Sequence, residues 1–312
     1  MVAQGERRDL EGHVQLQPGR EALVRVTVAT LWTAPEAVRP VDGPALAGET
    51  DIRHWIAGMA ADQRVGDCVL SQLLLGERVL IDEARPDGWT RVVAVEQPAA
   101  HLDPRGYPGW LPTAHLTPAP PEHDPSPVTL DATATDLRCR PAGPTALAGA
   151  VLGTRLPTAG PAVDRWLPVR APGHAAPVWV PETEAARPPE RRPDPRQVMA
   201  VADRLRAVPY VWGGLSPYGI DCSGLVHLAW RRFGVTVPRD AYDQAQAAVP
   251  VPLGEERPGD LYFFARPGRR IHHVGFVTGE RRMLHACYRQ RRVVEEALPA
   301  ERLATLVGAG RI

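Results

Sequence analysis

The pattern of apolar and polar positions divides the chain into two kinds of segment. Short alternating runs separated by glycine and proline fill the first two-thirds, which predicts β-strands joined by tight turns. In the last third, Asp194 and Pro195 are typical of a helix cap and first turn, and apolar residues recur at helical spacing after Cys222. Four strand-like runs follow, namely GDLYFFA, HHVGFVTG, RMLHACYR and RRVVEEA. Helices followed by a run of strands predict an α+β domain with an antiparallel sheet.

The strand-rich part contains a weak internal repeat. The segment LLGERVLIDEARPDGWTRVVAV resembles VLGTRLPTAGPAVDRWLPVRA, with Gly76 matching Gly153 at an offset of 77. Further on, Trp110 matches Trp179 at an offset of 69, so the first copy carries eight extra residues (77−69) in the stretch that contains Tyr107. Short strands with glycine and proline turns predict two small β-barrels, the first interrupted by a helical segment around DIRHWIAGM.

A linker rich in proline, arginine and glutamate, PETEAARPPERRPDPRQ, separates the repeat from the rest of the chain. We therefore predict three domains. They are residues 1–118, a barrel with a helical insertion; residues 119–185, a second barrel; and residues 186–312, the α+β domain.

Charge and apolar content exclude several classes of protein. The 312 residues include 36 basic and 36 acidic side chains, so no net field favours nucleic acid or an anionic membrane. No apolar run has membrane-spanning length, and no membrane insertion is expected. The N-terminal residues contain no signal-peptide core, so we expect a cytoplasmic protein; a secreted or cell-envelope location applies if a leader was removed. The pattern leaves the oligomeric state open.

The four cysteines indicate neither a disulfide framework nor a zinc ribbon, because no two have C-x-x-C spacing. We expect Cys68, Cys139 and Cys287 to be core residues. Cys222 follows Asp221 in the first turn of a predicted helix, where free N–H groups and the helix dipole favour a thiolate. Cys222 is therefore a candidate nucleophile, and the alternative is a small core side chain.

Two histidines are candidate partners for this cysteine. If Gly279 centres a three-residue hairpin, His273 faces His285 directly across two strands. His273 is then the general base and His285 orients it, whereas His272 points to the opposite face and is solvated. The alternative is a zinc site of Cys222, His273, His285 and Cys287. A closed zinc site does not need a helix-terminal cysteine, and we predict no metal or cofactor.

The motifs PYVWGG, GIDCSGLV, VPRDAYDQ, RPGDLYFF, HHVGFVTG and MLHA occur in this order in the last third of the chain. In this order they resemble the NlpC-type cysteine peptidases of the bacterial cell wall, which have a papain-like fold. The resemblance implies that Cys222 is the nucleophile, His273 the base and His285 the third catalytic residue. It also implies that Tyr210 shapes the oxyanion region and binds substrate, and that Trp212 forms a pocket wall.

Two barrels ahead of such a domain resemble the γ-D-glutamyl-L-diamino acid endopeptidases of muropeptide recycling, whose barrels are bacterial SH3-like domains. The resemblance implies that Glu77, Tyr107 and Asp221 hold the free amine of the substrate, and that Ser223 and Asp240 lie in the cleft. The segment LLLG departs from relatives that often carry an aromatic residue there. This difference affects no catalytic residue.

The function implied is cleavage of the bond between γ-D-glutamate and the diamino acid, meso-diaminopimelate or L-lysine, in stem peptides with a free N-terminal L-alanine. Peptidoglycan-derived peptides are thus the expected partners. Glu77 and the Tyr107 stretch distinguish the first copy from the second, so we expect the first barrel to join the site. Alternatives are a papain-like amidase or acyltransferase acting on another amide, and a non-catalytic cell-wall binding protein.

Overall fold

The structure is a computed structural model that describes residues 16–120 and 127–312. The prediction that the chain lacks an export leader concerns N-terminal residues that lie mostly outside these ranges. Within the described residues, no helix combines the length and the apolar character needed to cross a bilayer.

The first part of the chain forms a seven-stranded antiparallel sheet with the order β3-β2-β6-β5-β4-β1-β7. Successive side chains of a strand point to opposite faces of the sheet, so buried and partly buried residues alternate. In β4, Val79 and Ile81 face the core while Leu80 and Asp82 are only partly buried. The strands are β1 (Glu21–Val24), β2 (Val28–Trp32), β3 (Val69–Leu74), β4 (Arg78–Ala84), β5 (Trp89–Ala94), β6 (Tyr107–Pro112) and β7 (Leu116–Pro118).

The helical insertion predicted for this unit is confirmed. It lies between β2 and β3 and contains α1 (Gly43–Leu46) and α2 (Ile52–Gly58), with short 3-10 turns at Pro35–Ala37, Pro40–Asp42 and Gln63–Val65. Trp55 holds α2 in place, because its indole N–H donates to Asp42 Oδ1 at 2.8 Å and its ring meets that of Trp32 at 5.9 Å.

The second copy of the repeat divides its strands between a four-stranded sheet, β10-β9-β13-β12, and a three-stranded sheet, β11-β8-β14. The strands are β8 (Val128–Leu130), β9 (Ala134–Arg138), β10 (Thr145–Val151), β11 (Arg155–Leu156), β12 (Trp166–Val169), β13 (Val178–Pro181) and β14 (Ala185–Ala186). Among the described residues no sheet closes into a barrel, so the predicted SH3-like barrels are not confirmed. In the first copy the terminal strands β3 and β7 do not pair, and in the second β8 and β9 belong to different sheets.

The repeat itself has a structural counterpart. Gly76 and Gly153 both have φ of +84°, a left-handed conformation that favours glycine, and both follow the end of a strand. Trp110 in β6 and Trp179 in β13 precede the same succession of a 3-10 turn and a short strand, with the turns at Thr113–His115 and Glu182–Glu184. The two offsets read from the sequence therefore correspond to equivalent turns and strands.

The last part of the chain is α+β, as predicted. Its six-stranded antiparallel sheet has the order β17-β22-β18-β19-β20-β21, and a small hairpin pairs β15 with β16. The strands are β15 (Leu215–Ser216), β16 (Gly219–Ile220), β17 (Val249–Val251), β18 (Leu261–Ala265), β19 (Ile271–Gly279), β20 (Arg282–Cys287), β21 (Arg292–Ala297) and β22 (Leu306–Arg311). The helices are α3 (Pro195–Asp203), α4 (Cys222–Arg231), α5 (Ala241–Ala247) and α6 (Ala300–Leu303).

Helix α4 occupies the centre of the molecule, and all ten of its residues are buried. It packs on β19 and β20 on one side. On the other side it meets the N-terminal units, where Leu228 lies so close to Gly153 that a β-carbon there would sit 2.6 Å from Leu228 Cδ1. One apolar cluster joins Leu74, Leu152, Leu225 and Phe276 across these elements. Helix α4 is thus packed on both sides.

Candidate active site

A cavity of about 530 Å³ opens at the N-terminal end of α4. Residues from β6, from the start of α4 and from β19 line it together. Eight of the ten predicted site residues are in its wall: Tyr107, Tyr210, Trp212, Asp221, Cys222, Ser223, Asp240 and His273. The wall does not include His285 or Glu77.

Cys222 is the first residue of α4 and is only 6% exposed. The pKa of its thiol is raised to about 12, first by burial and then by the Asp221 carboxylate, although the backbone N–H groups of Val274 and Ser223 act in the opposite direction. The prediction of a stabilised thiolate is therefore wrong for this closed site. At neutral pH the residue is a thiol, and attack requires a base that removes its proton.

His273 and His285 are buried and share a hydrogen bond of 2.7 Å between Nε2 of His273 and Nδ1 of His285. On the far side, Nε2 of His285 lies 3.1 Å from Oε1 of Glu296. A carboxylate accepts only, so Nε2 of His285 carries a proton and, in the neutral ring, Nδ1 does not. His273 then donates from Nε2, which leaves its Nδ1 with a lone pair.

Burial lowers the pKa of His273 well below the ordinary value, and the neighbouring His285, Arg302 and His272 lower it further. His273 is therefore neutral in this environment. The tautomer set by Glu296 and the lowered pKa together make its Nδ1 a proton acceptor, the property that a general base needs.

The hairpin that carries the two histidines differs from the predicted one. Phe276 pairs with Leu284 and Val277 with Met283, so the turn lies at 280–281 and His273 is not directly opposite His285. The prediction of a hairpin centred on Gly279 is wrong. The rings meet diagonally instead, and space for His285 comes from Gly275, where a β-carbon would lie 2.8 Å from His285 Cβ.

Glu296 was missed in the sequence. It lies on β21, next to the strand of His285, and its other oxygen accepts from Gln290 Nε2 at 2.6 Å. The hydrogen bond from His285 is the largest cause that lowers the pKa of this carboxyl. The only signal was a carboxylate on the strand that follows His285, which many exposed strands also have.

Among the described residues, His285, Cys287 and Glu296 have ligand atoms within 4.8 Å of one another and are the candidate metal ligands. The guanidinium of Arg302 lies beside two of these groups, with Nη2 at 3.7 Å from Cys287 Sγ and Nε at 3.7 Å from Glu296 Oε1. A fixed cation at this distance opposes a divalent ion, so the arrangement favours a hydrogen-bonded network.

Asp221 lines the cavity, but its carboxylate is already paired. Oδ1 caps α4 by accepting from the N–H of Gly224 at 2.6 Å, and Oδ2 accepts from the N–H of Gly213 at 2.9 Å. The buried Arg239 donates to both oxygens, at 3.0 and 2.8 Å. Ser223 belongs to the same network through a 3.1 Å bond from Arg239. These two residues therefore fix the start of α4 as well as lining the cavity.

Tyr107 and Asp240 form the acidic part of the wall. Tyr107 is the first residue of β6, and burial raises the pKa of its hydroxyl, which donates to Asp240 Oδ2 at 3.1 Å. Burial also raises the pKa of the Asp240 carboxyl. Behind them, His101 contacts Asp243 Oδ2 at 2.6 Å and Asp240 Oδ2 at 3.8 Å. The first unit thus contributes side chains to the cavity.

The structure does not bring Glu77 to the cavity. Its side chain is fully buried, accepts from Gln97 Nε2 at 2.9 Å and lies 3.3 Å from Nη2 of Arg231, the last residue of α4. Arg231 also donates to Glu96 Oε2 at 3.1 Å and to the carbonyl of Gly153 at 3.0 Å. Glu77 therefore anchors the C-terminal end of α4 rather than a substrate amine.

Two aromatic residues complete the wall. Tyr210 is buried and packs edge-on against Tyr288, with ring centroids 5.6 Å apart, while Trp212 is 46% exposed. His272 is exposed, as expected, and also lines the cavity. Cys68 and Cys287 are buried as predicted, but Cys139 is exposed because it begins the turn after β9, which makes that prediction wrong.

Residues 207–305 match the model of the NlpC/P60 family. The chain is also 34% identical over 265 residues to a protein of Bacillus subtilis (strain 168) named gamma-D-glutamyl-L-lysine dipeptidyl-peptidase, covering 83% of this chain and 87% of that protein. A protein of the same name from Bacillus cereus (strain ATCC 10987 / NRS 248) is 29% identical over 295 residues, 90% of this chain and 87% of its own.

A solved structure has the same overall fold. It is the crystal structure of an NlpC/P60 family protein from Bacillus cereus ATCC 10987, with 25% identity and a TM-score of 0.81, and the match covers 93% of this chain and 99% of that one. The likeness includes the N-terminal units as well as the part with the cysteine and the histidines. The chain belongs to the NlpC/P60 family.

Proposed function

We propose that this protein is a cysteine peptidase that hydrolyses the bond between γ-D-glutamate and the diamino acid of free peptidoglycan stem peptides. The observation that carries the proposal is the relay from Glu296 through His285 to His273, which ends at the cavity that Cys222 also lines. The names of the relatives, gamma-D-glutamyl-L-lysine dipeptidyl-peptidases, support the choice of bond.

In the proposed reaction, Nδ1 of His273 takes the proton of the Cys222 thiol as the sulfur attacks the γ-carbonyl carbon. Backbone N–H groups at the start of α4 stabilise the oxyanion that forms. His273 then gives the proton to the leaving amine, the C–N bond breaks and a thioester remains. Water attacks the thioester with His273 again as base, which releases the dipeptide acid and restores the thiol.

We propose that the substrate's free amine binds at Asp240 and the Tyr107 hydroxyl. Asp240 lacks a guanidinium partner among the described residues, whereas Asp221 is paired with Arg239 and Glu77 with Arg231. An ammonium placed there would be neutralised, whereas an acylated amine would leave a partly buried carboxylate unpaired. The substrate is then a peptide already released from its sugar.

The test compares L-Ala-γ-D-Glu-diaminopimelate with its N-acetyl form, with products identified by mass spectrometry. We expect release of L-Ala-D-Glu from the free peptide, and Asp240→Asn should reduce the preference over the acetylated peptide. Glu77→Gln serves as the comparison and should leave that preference unchanged. Comparable cleavage of both peptides by the wild-type protein would refute the amine site, and absence of any cleavage would refute the peptidase.

The pH dependence of hydrolysis follows from the state of His273. Only the neutral ring accepts a proton, and the pKa of His273 is lowered, so the acid limb of kcat/KM should lie well below pH 6.5. The measurement is kcat/KM for the tripeptide between pH 4 and pH 8, after checking that the protein stays folded. An acid limb at or above pH 6.5 would contradict the buried neutral base.

Glu296 should act as a positioning residue. Glu296→Leu removes the acceptor that sets the tautomer of His285, so kcat should fall by about ten- to a hundredfold with little change in KM. Glu296→Gln keeps a carbonyl oxygen in place and should retain most of the activity. A loss confined to KM, or equal losses for both variants, would contradict the tautomer argument.

A further inference from the structure

The hairpin between β18 and β19 places two arginines at the cavity. Ala265 pairs with Ile271, so Arg266 and Arg270 flank the turn, which is closed by a hydrogen bond from the N–H of Arg269 to the carbonyl of Arg266 at 2.9 Å. All three arginines are exposed, but only Arg266 and Arg270 line the cavity, whereas Arg269 does not.

These two guanidinium groups have no carboxylate partner among the described residues. Arg270 instead lies over the ring of Tyr242, with Cζ 5.0 Å from the centroid, which orients the group at the cavity wall. The other arginines of the wall are engaged, since Arg289 pairs with Glu301 and Arg302 lies 3.7 Å from Glu296. Arg266 and Arg270 are therefore available to an anionic ligand.

The position of the catalytic base identifies the part of the substrate that meets them. Arg270 directly precedes β19, three residues before His273. Burial lowers the pKa of His272, and the nearby Arg266 lowers it further. In the proposed reaction His273 protonates the leaving amine, so the wall beside it faces the leaving diamino acid. The cavity wall thus presents two arginines near the base, in addition to the carboxylate of Asp240 beside Tyr107.

We propose that Arg266 and Arg270 bind the side-chain carboxylate of the leaving diamino acid, so that the enzyme selects diaminopimelate over lysine. This inference rests on the proposed function. Diaminopimelate carries a second carboxylate at the end of its side chain, and guanidinium groups bind carboxylates through paired N–H donors. Lysine carries only an ammonium there, which would face two like charges.

The experiment measures kcat/KM for three tripeptides that share L-Ala-γ-D-Glu and end in meso-diaminopimelate, in diaminopimelate amidated at its side-chain carboxyl, or in L-lysine. We expect the wild-type protein to prefer the first by about tenfold over both others, because they lack the second carboxylate. The double variant Arg266→Gln/Arg270→Gln should cleave all three at similar rates. The matched control Arg269→Gln should keep the wild-type preference.

A fourth peptide tests whether the arginines bind the α-carboxylate of D-glutamate instead. It replaces D-Glu by D-isoglutamine and so removes the α-carboxylate of that residue. If the double variant changes the response to this replacement and not the choice of diamino acid, the assignment to the leaving group is refuted. Equal wild-type rates for diaminopimelate and lysine peptides, or a preference that survives in the double variant, would also overturn it.

Binding to Cys222→Ala, measured by calorimetry, gives a readout that does not depend on turnover. The diaminopimelate peptide should bind about tenfold more tightly than its amidated form, and equal affinities would refute the subsite. Failure of the wild-type protein to cleave any of the peptides would instead refute the proposed function. The two failures are therefore distinct.

Discussion

Replacement of Cys222 by alanine is expected to lower hydrolysis of L-Ala-γ-D-Glu-diaminopimelate by at least about four orders of magnitude. The change removes the nucleophile and leaves only a small cavity at the start of α4, so the fold should persist. His273→Ala should be nearly as severe, because the thiol is neutral and depends on a base. His285→Ala should be milder, since it acts through His273.

The measurement is single-turnover cleavage followed by mass spectrometry, with circular dichroism as the test of folding. Cys139→Ala is the matched control, because Cys139 is exposed and far along the chain from the site. Its activity should equal that of the wild type. Retained activity in Cys222→Ala would refute the nucleophile, and with it the mechanism proposed above.

Arg239→Met is expected to destabilise the protein by about 3–5 kcal/mol, because it leaves the buried Asp221 carboxylate without its cation. Arg239 is fully buried and also donates to Ser71 Oγ at 2.8 Å and to Ser223 Oγ at 3.1 Å. Its loss thus removes hydrogen bonds that join β3 to the start of α4. The measurement is the urea midpoint followed by tryptophan fluorescence.

Two further variants make this result interpretable. Arg269→Met removes an exposed arginine and should change the free energy of unfolding by no more than about 0.5 kcal/mol. Adding Asp221→Asn to Arg239→Met removes the unpaired charge and should recover part of the stability. If the single variant Arg239→Met is as stable as the wild type, the network does not fix α4.

Much of the fold was predictable from local pattern. The Asp-Pro start of α3, the cap at Asp221 and the four strand runs of the large sheet are each determined by neighbours in the sequence, and each is present. The turn glycines Gly76 and Gly153 revealed the repeat, because a left-handed backbone needs glycine at both places.

The errors at Glu77, Asp221 and Cys222 have a different origin, since they depend on how distant parts of the chain pack. The position of the hairpin turn and the exposure of Cys139 were local errors instead. Glu77 and Arg231 are 154 positions apart (231−77), and no local pattern shows that the end of α4 meets the first unit. The partner of Asp221 is Arg239, which is buried against Ser71 and Pro98 of the first unit. The charge state of Cys222 also depends on the whole fold. Its position at the helix start favours a thiolate, but burial by the surrounding elements raises the pKa of the thiol.

The contacts at the C-terminal end of α4 have a consequence for evolution. Arg231 forms an ion pair with Glu77 and donates hydrogen bonds to Glu96 and Gly153, all of which belong to the N-terminal units. If a catalytic segment were joined to unrelated units that still bury this guanidinium, the charge would lack neutralisation, at a cost of several kcal/mol. The N-terminal units therefore cannot be exchanged freely during evolution. A unit that replaces one of them must also supply carboxylates at the positions that face Arg231.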